Sequence, residues 1–135
     1  MNEPFIPKTH KEIEFDRWKG LTVTGVARPA KPDASRSDEA VILSFGDGTK
    51  RLLWLEADCC SGSYFTDVKQ FDELLGATIQ KVEERDGEVE GDKYVGDVKA
   101  WHFLVFETNK GHVTIDWRNE SNGYYDGWVV VEAVQ

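Results

Sequence analysis

Residues 41–55 constrain the fold of this chain more than any other stretch. Two β-rich runs, Val41-Ile42-Leu43-Ser44-Phe45 and Lys50-Arg51-Leu52-Leu53-Trp54-Leu55, flank Gly46-Asp47-Gly48-Thr49. An Asp-Gly pair between such runs is a strong hairpin signal, because a tight turn needs residues that tolerate positive φ. An antiparallel pair is therefore expected here.

A second pair follows later. Trp101, Phe103 and Val105 alternate with His102, Leu104 and Phe106, and after Asn109-Lys110-Gly111 the residues Val113, Ile115 and Trp117 alternate with Thr114, Asp116 and Arg118. Gly111 suits the left-handed position of a three-residue loop closed by a bulge. That register sets Phe103 opposite Trp117 and Val105 opposite Ile115, one apolar face. It sets His102 opposite Arg118 and Leu104 opposite Asp116 on the other. A two-residue loop would oppose Phe103 with Asp116 and split the core, so the three-residue loop is expected. The expected core is Trp101, Phe103, Val105, Val113, Ile115 and Trp117, joined by Leu53, Leu55, Leu75 and Ile79.

Further strands are read at Leu21–Val26, from Thr78 to Val82, and from Trp128 to Val134 after the Asn122-Gly123 turn. Ser63 can cap a helix carrying Phe65, Val68, Leu74 and Leu75, ended by Gly76. Residues 1–19 form an N-terminal arm in which Lys11–Lys19 reads as a short helix or extended segment. Residues 28–39, with Pro29 and Pro32, read as a mobile surface loop, and Asp86–Gly96 as a polar, acidic excursion. The expected architecture is α+β over a single domain, residues 1–135. It is a mainly antiparallel sheet of about six or seven strands with one main helix inserted after the third.

With 25 acidic against 16 basic residues the formal net charge is -9. This argues against direct binding to nucleic acid, which needs clustered Lys and Arg, and against an anionic membrane surface. A basic protein surface or a small ligand is an acceptable partner. The start has no apolar core segment of a signal peptide, and apolar runs such as 128–131 are strand-length. Cys59 and Cys60 are adjacent and cannot close an ordinary disulfide loop, so a reducing, cytoplasmic setting is expected. No cofactor is expected, and the oligomeric state is left open.

Ala57-Asp58-Cys59-Cys60-Ser61, the segment ending Leu74-Leu75-Gly76, and Ser121-Asn122-Gly123-Tyr124-Tyr125-Asp126-Gly127 together resemble an uncharacterised domain family of phage and bacterial genomes. The resemblance runs from about Leu43 to Val131. The chain departs from it at Glu56-Ala57, where a Gly would precede the Asp. The resemblance implies an origin and a fold type but no reaction.

Four groups of residues are candidates for function. Asp58, Cys59, Cys60 and Ser61 stand where a strand hands over to the expected helix, whose free amides and dipole would lower a thiol pKa and favour an anion. A nucleophilic cysteine there would need a His base, for which His102 and His112 are available. The same residues suit a plain tight turn, with Asp58 and Ser61 capping amides. Adjacent cysteines lack the separated pairs of a zinc site, so no metal is expected. His102, Asp116 and Arg118 share a face in the expected register. They suit either a ligand pocket in which Arg118 grips an anion, or a solvated face.

Glu83, Glu84, Asp86, Glu88, Glu90 and Asp92 crowd one stretch with Arg85 the only base among them. They suit recognition of a basic partner, or a solvated loop. Tyr124 and Tyr125 on the Asn-Gly turn suit partner contact, or packing back over the sheet. No complete catalytic set is legible, which favours binding over chemistry. The first expectation is a non-enzymatic, phage-derived binding protein acting on a host protein, as an inhibitor or anti-defence factor. The second is a binder of a small nucleotide signal, and the third a Cys-dependent enzyme.

Overall fold

The computed structural model describes residues 8–29, 40–58, 61–92, 97–121 and 126–135. In it, β1 (Val23–Ala27), β2 (Ala40–Phe45), β3 (Lys50–Ala57) and β8 (Gly127–Val134) form one sheet in the order β1-β2-β3-β8. The second sheet has the order β4-β7-β6-β5, from β4 (Gly62–Phe65), β5 (Ile79–Asp92), β6 (Asp97–Thr108) and β7 (Gly111–Ser121). All pairings within the sheets are antiparallel. One short helix, α1 (His10–Asp16), precedes them, and a 3-10 helix spans Val68–Leu74.

Among the described residues the fold is therefore mostly β, eight strands in two sheets, and not the α+β fold expected. The segment from Ser63 is a strand first. Ser63 pairs with Asn119 and Phe65 with Trp117, so extended backbone buries the Phe65 ring. Helical structure starts only after Asp67, whose carboxylate accepts the Lys69 amide at 3.0 Å. Leu74 is buried there, while Leu75 is 54% exposed and leaves the expected core. The acidic excursion is also a strand, since β5 pairs with β6 as far as Asp92.

The expected hairpin of β2 and β3 forms. The Phe45 amide donates to the Thr49 carbonyl at 2.9 Å, and Gly48 takes φ +88°. The Thr49 hydroxyl and amide donate to the Asp47 carboxylate, which holds its pKa below the usual range. At the other expected hairpin the strands are right and the register is not. Thr108 pairs with Gly111, Leu104 with Ile115, and Phe103 with Asp116, which is the two-residue loop. The Thr108 hydroxyl closes that loop, donating to the Gly111 carbonyl at 2.7 Å and accepting the Lys110 amide at 3.0 Å. A one-residue slip exchanges every side chain between faces. Leu104 and Phe106 therefore enter the core with Val113, Ile115 and Trp117, and Trp101 and Phe103 lie half-buried on the outer face. Val105 is also on the outer face, though well covered.

The core lies between the sheets. Val41, Leu43, Leu53, Leu55 and Val129 of the first sheet meet Leu104, Phe106 and Ile115 of the second. Trp18 is fully buried among Phe15, Phe45 and Phe106, with ring centroids 5.1, 5.3 and 6.5 Å away. Burying a large side chain of this kind contributes about 1.5–3 kcal/mol. At one corner the sheets join: the Gly20 and Ile79 amides donate to the Ile79 and Leu21 carbonyls at 2.8 and 2.9 Å. Helix α1 spans the gap between sheets. Lys11 donates to the Val129 carbonyl at 3.1 Å and pairs with Glu84 at 2.8 Å, while Glu14 pairs with Arg51.

Candidate functional site

The corrected register decides where the candidate residues stand. On the inner face of the second sheet, Asp86 lies opposite His102 and His102 opposite Trp117. The His102 imidazole stacks on the Trp117 indole, with centroids 4.1 Å apart and planes at 21°, and its Nδ1 is 2.9 Å from the Asp86 carboxylate. A groove runs past this row, lined also by Lys11, Glu84 and the indole of Trp128. His102 is thus held in a defined orientation by a ring below it and a carboxylate beside it.

Asp116 and Arg118 lie on the opposite face and do not join His102. The Arg118 guanidinium sits 4.5 Å from the Trp101 ring centroid, a cation–π contact. Its Nη1 is enclosed and has no hydrogen-bond partner among the described residues. The main chain of Asp116 is held by the segment after β4: its amide donates to the Gln70 side chain and its carbonyl accepts from the Thr66 amide, both at 3.0 Å. His112, the other candidate base, pairs with Glu107 at 3.1 Å.

Asp58 and Ser61 both dock onto Asp126, the residue before β8. The Asp58 amide donates to the Asp126 carbonyl at 2.9 Å, the Asp126 amide returns to the Asp58 carboxylate at 3.2 Å, and Ser61 Oγ reaches the Asp58 and Asp126 carbonyls. Behind the turn, the buried Asn119 amide donates to Ser63 Oγ at 3.1 Å and the Gly62 carbonyl at 3.4 Å. Gly127 has no room for a side chain: an added Cβ would lie 1.9 Å from Ser63 Oγ and 2.8 Å from the Glu56 carbonyl. Cys59 and Cys60, and likewise Tyr124 and Tyr125, lie outside the described residues.

The carboxylates of the acidic stretch divide between two faces of β5. Glu83 pairs with Arg85 and Lys81, and these hydrogen bonds hold its carboxyl below the usual range. Glu84 turns to Lys11 and Asp86 to His102. Glu88 and Glu90 are exposed on the ribbon of β5 and β6 beyond Asp86, beside Val89, itself 65% exposed. Lys99 and Tyr64 meet at Glu120 on the neighbouring strands, and the Glu120 hydrogen bond raises the Lys99 pKa.

A protein-family comparison matches residues 4–131 to a domain of unknown function, DUF7448. The chain belongs to that family. Among curated proteins, uncharacterized protein L278 of Acanthamoeba polyphaga mimivirus is 33% identical over 97 residues, which is 68% of this chain and 76% of the viral one. No solved structure matches. The expected resemblance to an uncharacterised family thus holds at that level, with a viral relative.

For this DUF7448 domain, several residues of the groove and its surroundings are not legible in the sequence. Alternation marks Trp117 only as core, and Lys11 and Trp128 reach the His102 groove from the first helix and the β8 strand. No sequence spacing connects those three. Asn119 gave no signal either, because its role depends on Ser63 facing inward from β4. Among the described residues no helix is long and apolar enough to cross a membrane, and no group of three or more His, Cys, Asp or Glu is placed to hold a metal.

Proposed function

We propose that this DUF7448 domain is a non-enzymatic binding protein of viral type that engages a basic surface on a host protein, as an inhibitor or anti-defence factor would. The observation that supports this most is the β5–β6 ribbon. It presents two exposed carboxylates beyond the core: Glu88 at the irregularity between Asp86 and Val89, and Glu90 in register opposite Lys99. A paired ribbon loses less conformational freedom on binding than a mobile loop, so less of the interaction energy goes into ordering it. The net charge of -9 adds a long-range field that steers a basic partner toward the domain. The mimivirus relative supports the viral setting. Of the residues first considered for partner contact, Glu88 and Glu90 are the strongest, because Glu83 and Glu84 are already paired.

The small-ligand reading that joined His102 to Arg118 has no common face to rest on. The partner-binding reading is tested by capturing the partner at low salt and measuring association by stopped flow. The Glu88→Gln/Glu90→Gln double variant is expected to associate several-fold more slowly at low salt, with the difference vanishing at high salt. Equal rates at low salt would sink the proposal.

A further inference from the structure

Between the inner face of the second sheet and the start of β8, the groove beside α1 holds about 280 Å³. We propose that it binds a neutral, hydroxyl-rich ring, a pyranose sugar being the best fit. Its size, the state of its charged groups and its aromatic surfaces support this.

The volume lies at the small end of ligand pockets, enough for a ring-sized molecule and too small for a dinucleotide. The charged groups are already engaged before any ligand arrives. Lys11 pairs with Glu84 at 2.8 Å and also donates to the Val129 carbonyl. Arg85, which borders the groove, donates to Glu83 at 2.8 Å instead. A phosphate or carboxylate would have to break those pairs to be neutralised, at a cost that a neutral ligand avoids. A hydroxyl group both donates and accepts, so it can use mixed acceptors and donors without disturbing them. Asp86, 88% exposed at its side chain, keeps carboxylate lone pairs open to solvent. With Nδ1 of His102 turned to Asp86, Nε2 has no partner among the described residues and can hydrogen-bond a hydroxyl, which both donates and accepts.

The remaining surface is aromatic. Trp128 is 42% exposed at the groove, and the His102 ring lies flat on Trp117. One face of a pyranose carries only C–H groups, whose positive edges suit the negative face of an indole. Aromatic rings, carboxylates and a single oriented imidazole within one ring-sized groove thus match a ligand with one apolar face and a polar rim.

The test is saturation-transfer difference NMR on the whole chain with a panel of neutral aldohexoses and disaccharides. At least one sugar is expected to show saturation, strongest on the protons of a single ring face. Trp128→Ala and Asp86→Asn, both at exposed side chains, are each expected to weaken its binding about tenfold or more. Asp116→Asn, on the other face of the sheet, is expected to leave it unchanged. Circular dichroism of each variant checks folding. No saturation from any sugar, or undiminished binding in both groove variants, overturns the proposal. So does a free nucleobase that binds with the same sensitivity to the variants while the sugars do not. The ribbon residues Glu88 and Glu90 take no part, so the outcome is separate from that of the partner-binding experiment.

Discussion

Strands β5 and β6 pass through two environments. Up to Asp86 they run over a core in which Trp18 is enclosed by Phe15, Phe45 and Phe106. Beyond Asp86 the same two strands continue as a ribbon with Glu88, Val89 and Glu90 exposed and little apolar burial. Backbone pairing is common to both halves, so pairing alone does not distinguish what holds the domain together. The difference teaches that side-chain burial stabilises the first half, whereas the second adds reach and charge.

Mutations that separate the two halves test this directly. Trp18→Ala removes a fully buried indole and is expected to cost about 3–5 kcal/mol in urea unfolding. A cost near zero would mean that the segment following α1 does not seal the core. Leu104→Ala is expected to cost about 2–5 kcal/mol, and Phe103→Ala less than that, since Leu104 is enclosed and Phe103 lies on the outer face. The reverse order would restore the three-residue loop register.

Glu14 is expected to rank next. Burial pushes its pKa up, but hydrogen bonds from Arg51 and the Trp18 indole, with the charges of Arg51 and Arg17, outweigh that and leave it below the ordinary value. A carboxyl lowered on folding contributes stability that is full above its unfolded pKa of about 4.3 and is lost as pH falls through the folded value. Glu14→Gln is thus expected to cost about 1–3 kcal/mol at neutral pH. The gap from the parent chain should close in acid, as read by unfolding at a series of pH values. At the small end, Glu88→Gln/Glu90→Gln is expected to change stability by less than about 0.5 kcal/mol. A larger loss would show that the ribbon shares in folding.

The sequence showed the β2–β3 hairpin because Asp47-Gly48 admits few other conformations. It showed which segments pair at β6 and β7 but not how. Both faces of β6 are apolar, Trp101, Phe103 and Val105 on one and Leu104 and Phe106 on the other, so alternation does not choose between them. What decides is the rest of the core, which sits over Leu104 and Phe106, and the Thr108 hydroxyl at the turn. The helix expected from Ser63 failed for a related reason. A capping residue and periodic apolar positions describe a local preference, while the inward seats beside Asn119 and Trp117 are tertiary. Of the lining of the His102 groove, the sequence singles out His102, Glu84 and Asp86, but assigns the two carboxylates to a different site. The other members of the lining come from α1, β5, β7 and β8, and only the closed sandwich brings them together.

Strand β3 has β2 and β8 on its two sides, and the whole second sheet lies between β3 and β8 in the chain. During synthesis the meander of β5, β6 and β7 can pair from neighbouring segments, but the flank of β3 stays bare until β8 has been made. Closing so long a connection is entropically unfavourable and slow compared with a local turn. The Val-rich β8 is therefore the segment whose arrival completes the domain, and a nascent chain stalled before it would expose Leu53 and Leu55 along an unfilled edge.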